Sequence, residues 1–511
     1  MFPIPLKNLI APVLFFTALI WFYNYLGFFE TMQMRPSSIH MWAQCERASI
    51  ALNYAETDMN FFLPRIHKFN QGDGITGMEF PLVNYVPAIC YKLFGFNEIY
   101  FRGFVLLTIV LGLYLFYKLL LMVTDNNYFL SLGLTGAGYF SPVLIYYSNS
   151  FMPDITSLGF ALAAWYFFFK FVKKGGRKTF YFFWTFAVLA ALVKITSLLV
   201  ILVVMCVLVL DQLKFFNNQE KGFLFERRVR WKIFLAGIAG IIVVASWYLY
   251  ARWLSSHYSE GFALVAVPVD NLENFHIVWN EIKRSHRYEY YSYEGYILFM
   301  SIIALLGVGF KFVNRLYFIV TLLTVLGSMC FVYLMFWQFK DHDYYIITIS
   351  TSVFLLCLTF ADFLTRIAFR FSKVIPFVFI VILFFNTKES IVACKKDFSK
   401  RYDPKYVSWL GDFLPYHDLE PKLRRLGISR TDYTLSGFDW SFCNSLYLMD
   451  QLGENFDDYT SEEKIKQMLN DPRYKYLVVN DSAKLNKKIP GNDFSQKIVT
   501  THRGLLIYKL R

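Results

Sequence analysis

The chain has 511 residues, 56% of them hydrophobic and 20% aromatic, and a formal net charge of +13. With 56 Phe, 35 Tyr and a mean hydropathy of +0.38, it cannot be an ordinary soluble domain and reads as a polytopic α-helical membrane protein. The positive charge does not imply a nucleic-acid partner, because the basic residues concentrate in alternate loops between apolar runs.

Runs approaching the ~20 residues that cross a bilayer core are expected at 8–27, 101–122, 128–147, 155–172, 179–194, 196–212, 233–251, 294–310, 316–336, 344–362 and 374–387. That makes about eleven spans. The first is too long and too aromatic for a cleaved signal peptide and is expected to remain as a span. Lys170, Lys173, Lys174, Arg177 and Lys178 share one short loop, and Lys214, Lys221, Arg227, Arg228, Arg230 and Lys232 share the next. The positive-inside rule places both loops in the cytoplasm. The first outer loop (28–100), the 148–154 turn, the 252–293 loop and the "FWQFKDHD" turn then share the outer face. A loop as long as 28–100 exceeds what a connector needs, so it is expected to be a functional surface with interfacial helices.

Beyond residue 388 the apolar runs stop and charges mix, which divides the chain into a membrane domain, 1–387, and a small C-terminal α/β domain, 388–511, on the outer face. There "TSEEKIKQML" is expected to open a helix with Thr460 as N-cap and Glu463 at the third position. "YKYLVVND" and "GLLIYKL" read as strands. The seven cysteines (Cys45, Cys90, Cys206, Cys330, Cys357, Cys394 and Cys443) show neither metal spacing nor a CxxC pair.

The residues that can carry chemistry lie in those outer segments. Glu46, in "CERASIALNY", belongs to a helix expected to rest on the membrane at headgroup height, with Trp42 one turn earlier. Glu79 precedes Pro81 in "GMEFPLVNY". Asp154 opens the fourth span, a position that capping and the helix dipole also favour. Lys340, His342, Asp343, Tyr344 and Tyr345 stand at the mouth of a later span, where a cation can hold a phosphate. Lys283, Arg284, His286 and Arg287 lie among tyrosines that also suit interfacial anchoring. Lys194 sits between two spans, placed either to snorkel or to reach a lipid phosphate.

Together these residues resemble the C-type (GT-C) membrane glycosyltransferases, and more narrowly the dolichyl-phosphate-mannose protein mannosyltransferases and aminoarabinose lipid A transferases. Glu46 matches the acidic catalytic residue that begins the family's first outer loop. Glu79, Pro81 and Leu82 match its acidic or polar position before a Pro-Leu pair, and Asp154 matches its second catalytic acid. His342 to Tyr345 match the basic residue before Tyr in its late outer loop. The likeness implies a GT-C fold and an inverting hexosyl- or pentosyltransferase in the plasma (inner) membrane. Its donor would be a polyprenyl-phosphate sugar, and its acceptor a protein, lipid or glycan. Two departures stand out: Glu46 occupies a position often held by Asp, and Phe80 replaces the lysine of the aminoarabinose transferases. The donor phosphate would then be held by Arg65, Lys340 or His342, with Trp42, Glu79 and Tyr345 also binding substrate. No cofactor is specified, and a divalent metal is left open. A transporter or flippase of lipid-linked saccharides would instead carry ionisable groups near the midplane of its spans. Here the spans are nearly free of acids.

Overall fold

The computed structural model describes residues 7–69, 73–216, 224–258, 266–370, 374–403, 405–407, 411–490 and 497–511; Lys221 of the second basic loop lies outside them. The membrane part begins with α1 (Lys7–Leu26), followed by the loop helices α2 (Met41–Glu56) and α3 (Leu82–Phe94). Then come α4 (Ile99–Val123), α5 (Tyr128–Tyr139), α6 (Pro142–Tyr147), α7 (Pro153–Lys174), α8 (Arg177–Val193), α9 (Leu199–Gln212) and α10 (Arg227–Tyr258). The surface pieces α11 (Leu272–Glu281) and α12 (Arg287–Tyr290) lead into α13 (Tyr293–Val308), α14 (Arg315–Leu334), α15 (Ile346–Arg370) and α16 (Val374–Arg401).

Eight helices among the described residues are long and apolar enough to cross a membrane, or nine if the bent α11–α13 segment is one span. The expected count of about eleven is not reached for local reasons. Segment 128–147 breaks into α5 and α6 at Phe140, where Ser141 caps the second piece and Pro142 supplies its first residue. At the expected 179–194 span, α8 (Arg177–Val193) has only 17 residues. Within 294–310, α13 has 16 and meets the preceding surface helices at 88°. Helix α16 continues to Arg401, past the end of the apolar run at 387.

Packing around α7 sets the position of its first turn. Gly112 of α4 and Gly159 of α7 bring their backbones so close that a Cβ on Gly112 would lie 2.4 Å from the Gly159 carbonyl oxygen. Small residues permit this approach between helices in a membrane. Thr108 donates to Thr156 across the same contact at 2.9 Å. On the other side Ser157 donates to the Ala190 carbonyl at 2.9 Å and lies 2.6 Å from the Ser197 hydroxyl. These bonds hold the break between α8 and α9, where Lys194 is extended (φ −149°).

The C-terminal domain comprises α17 (Glu420–Arg425), β1 (Thr434–Gly437), α18 (Asn444–Leu448), β2 (Gly453–Phe456), α19 (Glu462–Asn470), β3 (Tyr476–Val479), α20 (Ser482–Lys488), β4 (Ile498–His502) and β5 (Leu505–Lys509). The sheet order is β2-β1-β3-β5-β4, with β1 parallel to β2 and β3, and β5 antiparallel to β3 and β4. Both expected strands are present as β3 and β5. The expected cap is displaced by one residue: Ser461 accepts from the Lys464 amide, because Asp457 already holds the Thr460 hydroxyl at 2.7 Å.

This domain is clamped to the first loop. Arg35 donates to Glu420 at 2.7 Å and to the Leu448 carbonyl at 2.5 Å, and Tyr447 donates to Glu98 at 2.7 Å. The Phe69 amide donates to the Gly453 carbonyl at 2.6 Å. Buried His67 meets Asp450 through Nε2 at 3.1 Å and Ser49 through Nδ1 at 2.7 Å.

Candidate active site

Helix α2 brings Glu46 and Arg47 to the edge of a chain of alternating charges. Arg47 donates to Glu46 at 2.7 Å and reaches Glu79 at 3.2 Å. Lys194 then bridges Glu79 and Asp154, 3.2 Å from each. The order is therefore Glu46–Arg47–Glu79–Lys194–Asp154, joining the first loop, the opening of α7 and the α8–α9 break. Four residues singled out in the sequence, Glu46, Glu79, Asp154 and Lys194, converge here.

Accessibility falls along this chain. The Glu46 side chain is 19% exposed, Glu79 7% and Asp154 1%. Burial raises the Glu46 carboxyl above its ordinary range; Arg47 opposes this and the Glu79 charge adds to it. Burial also works against the charge of Glu79, but Arg47 and Lys194 outweigh it and hold that carboxyl at about 2. Glu79 therefore stays ionised, whereas Glu46 has the stronger affinity for a proton. Asp154 uses one oxygen for Lys194, and its other is buried with no hydrogen-bond partner among the described residues. An ammonium has three N–H donors, of which two face Glu79 and Asp154, leaving Lys194 one for an anionic oxygen.

An aromatic wall faces these charges. The Lys194 ammonium lies 6.0 Å from the Tyr344 ring centroid, and Tyr344 meets the His40 ring edge-on at 5.1 Å. His40 stacks on His342 at 5.7 Å, and Trp42 stands edge-on to His342 at 5.9 Å. Tyr345 completes the wall 5.7 Å from His342. Burial, aided by nearby His40, lowers His342 to about 4, so its ring is neutral near neutral pH. His40 has a left-handed backbone (φ 54°), a strained state that surroundings must hold. Its ring is held by Asp343 at 3.2 Å, which in turn accepts from Arg401 at 2.7 Å and Tyr147 at 2.6 Å.

Beside Tyr345 an apolar cavity of about 530 Å³ opens between α14 and α15, lined by Val325, Val332, Phe336, Ile346, Ile349 and Val353. This is the size range of ligand pockets.

Of the expected site residues, Glu46, Glu79, Asp154, Trp42, His342 and Tyr345 come together. Arg65 pairs with Asp58 at 2.8 Å, and the Lys340 ammonium lies 5.5 Å from the Trp337 ring; neither has a contact with the charge chain among the described residues. Phe80 packs on Phe61 and Trp247, and the lysine that contacts Glu79 and Asp154 is Lys194. Arg47, His40 and Asp343 complete the cluster. The adjacency of Arg47 to Glu46 was its only sequence signal, and nothing local marks His40. Among the described residues no three His, Cys, Asp or Glu side chains group as a metal site.

No protein-family model matches the sequence, and no curated protein sequence matches it. Solved structures do match. ArnT from Cupriavidus metallidurans in the apo state has a TM-score of 0.60 at 13% identity, covering 98% of this chain and 97% of that chain. The same enzyme bound to undecaprenyl phosphate has a TM-score of 0.57 at 13% identity, with 98% of each chain covered. Arabinofuranosyltransferase AftD from Mycobacteria has a TM-score of 0.51 at 10% identity, covering 96% of this chain but 41% of that one. At these identities the likeness is one of fold.

Proposed function

We propose that this chain, which has the GT-C fold, transfers a sugar from a polyprenyl-phosphate donor to an acceptor hydroxyl on the extracytoplasmic face of the membrane. The observation that carries the reading is the chain of carboxylates and cations at a bundle end, with an apolar cavity opening beside its aromatic wall. The fold neighbour bound to undecaprenyl phosphate supports a lipid-linked donor, and the 530 Å³ cavity suits the first part of an isoprenoid chain.

In the proposed reaction the acceptor oxygen attacks the anomeric carbon from the face opposite the phosphate. The bond from that carbon to the phosphate oxygen breaks, its electron pair leaves with the phosphate, and the anomeric centre inverts. Glu46 takes the hydroxyl proton, being the most accessible of the three carboxylates, with a proton affinity that burial raises. Lys194 meets the charge developing on the phosphate through its remaining N–H. Asp154 and Glu79 position Lys194, and Tyr345 and Trp42 form the wall against which the sugar is held.

Purified protein supplied with a polyprenyl-phosphate sugar tests this. General-base contributions are about 10²–10⁴-fold, so Glu46→Gln should lose that much turnover while remaining inserted. A base works only when deprotonated, so wild-type turnover should rise with pH through a midpoint above the ordinary carboxylate range. Glu46→Gln should abolish that limb, whereas Asp154→Asn should lower the rate and keep it. Near-normal transfer by Glu46→Gln overturns the assignment.

A further inference from the structure

The C-terminal domain holds a second group of polar side chains that the proposed transfer reaction does not use. In its sheet, β1 has β2 on one side and β3 on the other. The chain passes from β1 to β2 through α18, then crosses back to β3 through α19. The direction of winding therefore reverses at β1, and in open α/β sheets ligands bind outside the carboxyl ends of the strands at such a point.

The turn at that end of β1, residues 438–443, is built to be rigid. Phe438 has a left-handed backbone (φ 62°). Buried Asp439 accepts four hydrogen bonds, from the amide and hydroxyl of Ser441 at 2.9 and 2.6 Å and those of Ser445 at 2.9 and 2.6 Å. Its charge is thus spent within the turn. Asn455, near the carboxyl end of β2, donates to the Asp439 and Ser441 carbonyls at 3.0 and 2.5 Å. Two large rings project from this frame: Trp440 is 52% exposed and Phe442 41%. Two residues after Phe442 in the chain, Asn444 is wholly buried, yet both atoms of its side-chain amide have no hydrogen-bond partner among the described residues. The carbonyl oxygens of Asn455 and Asn480 are in the same condition, and Asn480 follows β3.

Buried amides without partners are costly and call for an explanation. Exposed flat rings beside neutral amides and hydroxyls suit a neutral polyhydroxylated ligand, whose apolar ring faces stack while its hydroxyls pair with amides. The nearby charges are already engaged: Lys484 pairs with Asp458 and lies over Phe438. The turn also lies close to the proposed reaction site. Helix α18 packs on α2, and Glu46 and Ser49 of α2 are among the groups acting on the Cys443 thiol, just before Asn444.

Resting on the transferase reading, we propose that the 438–445 turn is an acceptor-binding subsite that takes a saccharide, with Trp440 and Phe442 as its stacking platform and Asn444 and Asn455 as its hydroxyl partners. The acceptor is thereby a glycan or glycoconjugate, held by the C-terminal domain with its free hydroxyl toward Glu46.

The full-length protein in nanodiscs, applied to a panel of immobilised neutral and acidic oligosaccharides, tests the proposal, with binding of undecaprenyl phosphate measured in parallel. Wild-type protein should be retained by a subset of neutral oligosaccharides. Because aromatic contacts contribute beyond the area they bury, Trp440→Ala and Phe442→Ala should each weaken retention up to about tenfold. Both rings are exposed, so these variants should fold and bind undecaprenyl phosphate as before. Unchanged retention by the double variant overturns the subsite, and so does a wild-type protein that binds undecaprenyl phosphate but no saccharide. Saccharide binding without undecaprenyl phosphate binding would support the subsite and count against the donor reading instead.

Discussion

Lys194 illustrates how one side chain acquires a role that its own segment does not announce. Between two apolar runs a lysine can simply snorkel. Here the extended break between α8 and α9 directs it inward, 3.2 Å from both Glu79 and Asp154. Removing a positioned donor to a developing oxyanion typically costs 10²–10³-fold in turnover, and Lys194→Met should lose about that much. Lys340→Ala, whose ammonium lies over Trp337, is the matched control expected to retain donor dependence. Steady-state kinetics over a range of donor concentrations decides the matter, with insertion checked by thermal melting in detergent. A folded Lys194→Met enzyme with wild-type kinetics would remove Lys194 from the site.

At the scale of elements, the loop bearing Glu79 is held by two helices that contribute nothing to the charge chain. Trp247 of α10 donates to the Met78 carbonyl at 3.1 Å, and the Phe80 amide donates to the Leu192 carbonyl of α8 at 3.1 Å. Gly77 makes the seat possible: a Cβ there would lie 1.9 Å from the Ala251 carbonyl oxygen and 2.5 Å from the Ser255 hydroxyl. Gly77→Ala must therefore lift the loop from α10. Misplacing a reacting group by about 1 Å can cost 10²-fold, so this variant should lose about that much turnover although residue 77 is uncharged. The loss should appear in kcat more than in KM for the donor. Wild-type turnover by Gly77→Ala would show that the seat on α10 does not position Glu79.

The whole molecule gathers the first loop, the 148–154 turn, the α8–α9 break, the 336–345 turn and the C-terminal sheet at one end of the bundle. The clamp through Arg35, His67, Glu98 and Tyr447 makes the C-terminal domain part of that end. The tautomer follows from the bonds of His67: Ser49 donates to Nδ1, so Nε2 carries the hydrogen toward Asp450. Burial lowers this histidine to about 4, keeping it neutral near neutral pH. The proposed orientation follows from the basic loops at the other end. In a background with exposed Cys206 and Cys330 replaced by Ser, an impermeant thiol reagent applied to intact cells should label Tyr459→Cys and spare Gly175→Cys and Glu226→Cys. Labelling of the latter pair alone would invert the topology and move the site to the cytoplasm.

Composition, hydropathy and charge asymmetry were sufficient to establish a membrane bundle with a distinct C-terminal α/β domain, because span length and loop charge are local properties of the chain. The candidates Glu46, Glu79 and Asp154 were legible for the same reason, each lying in a polar segment beside an apolar run. Span count was less legible: whether a break such as Phe140–Pro142 ends a helix depends on the neighbours that satisfy its backbone. Only the tertiary structure decided which cation serves the carboxylates, since residues 47, 79, 154 and 194 meet through packing at Gly112, Gly159 and Gly77 that no local pattern encodes. It likewise left Arg65 and Lys340 without a contact to the charge chain among the described residues and drew in His40, because a side chain's partner is determined by where its segment is seated, not by the charge it carries.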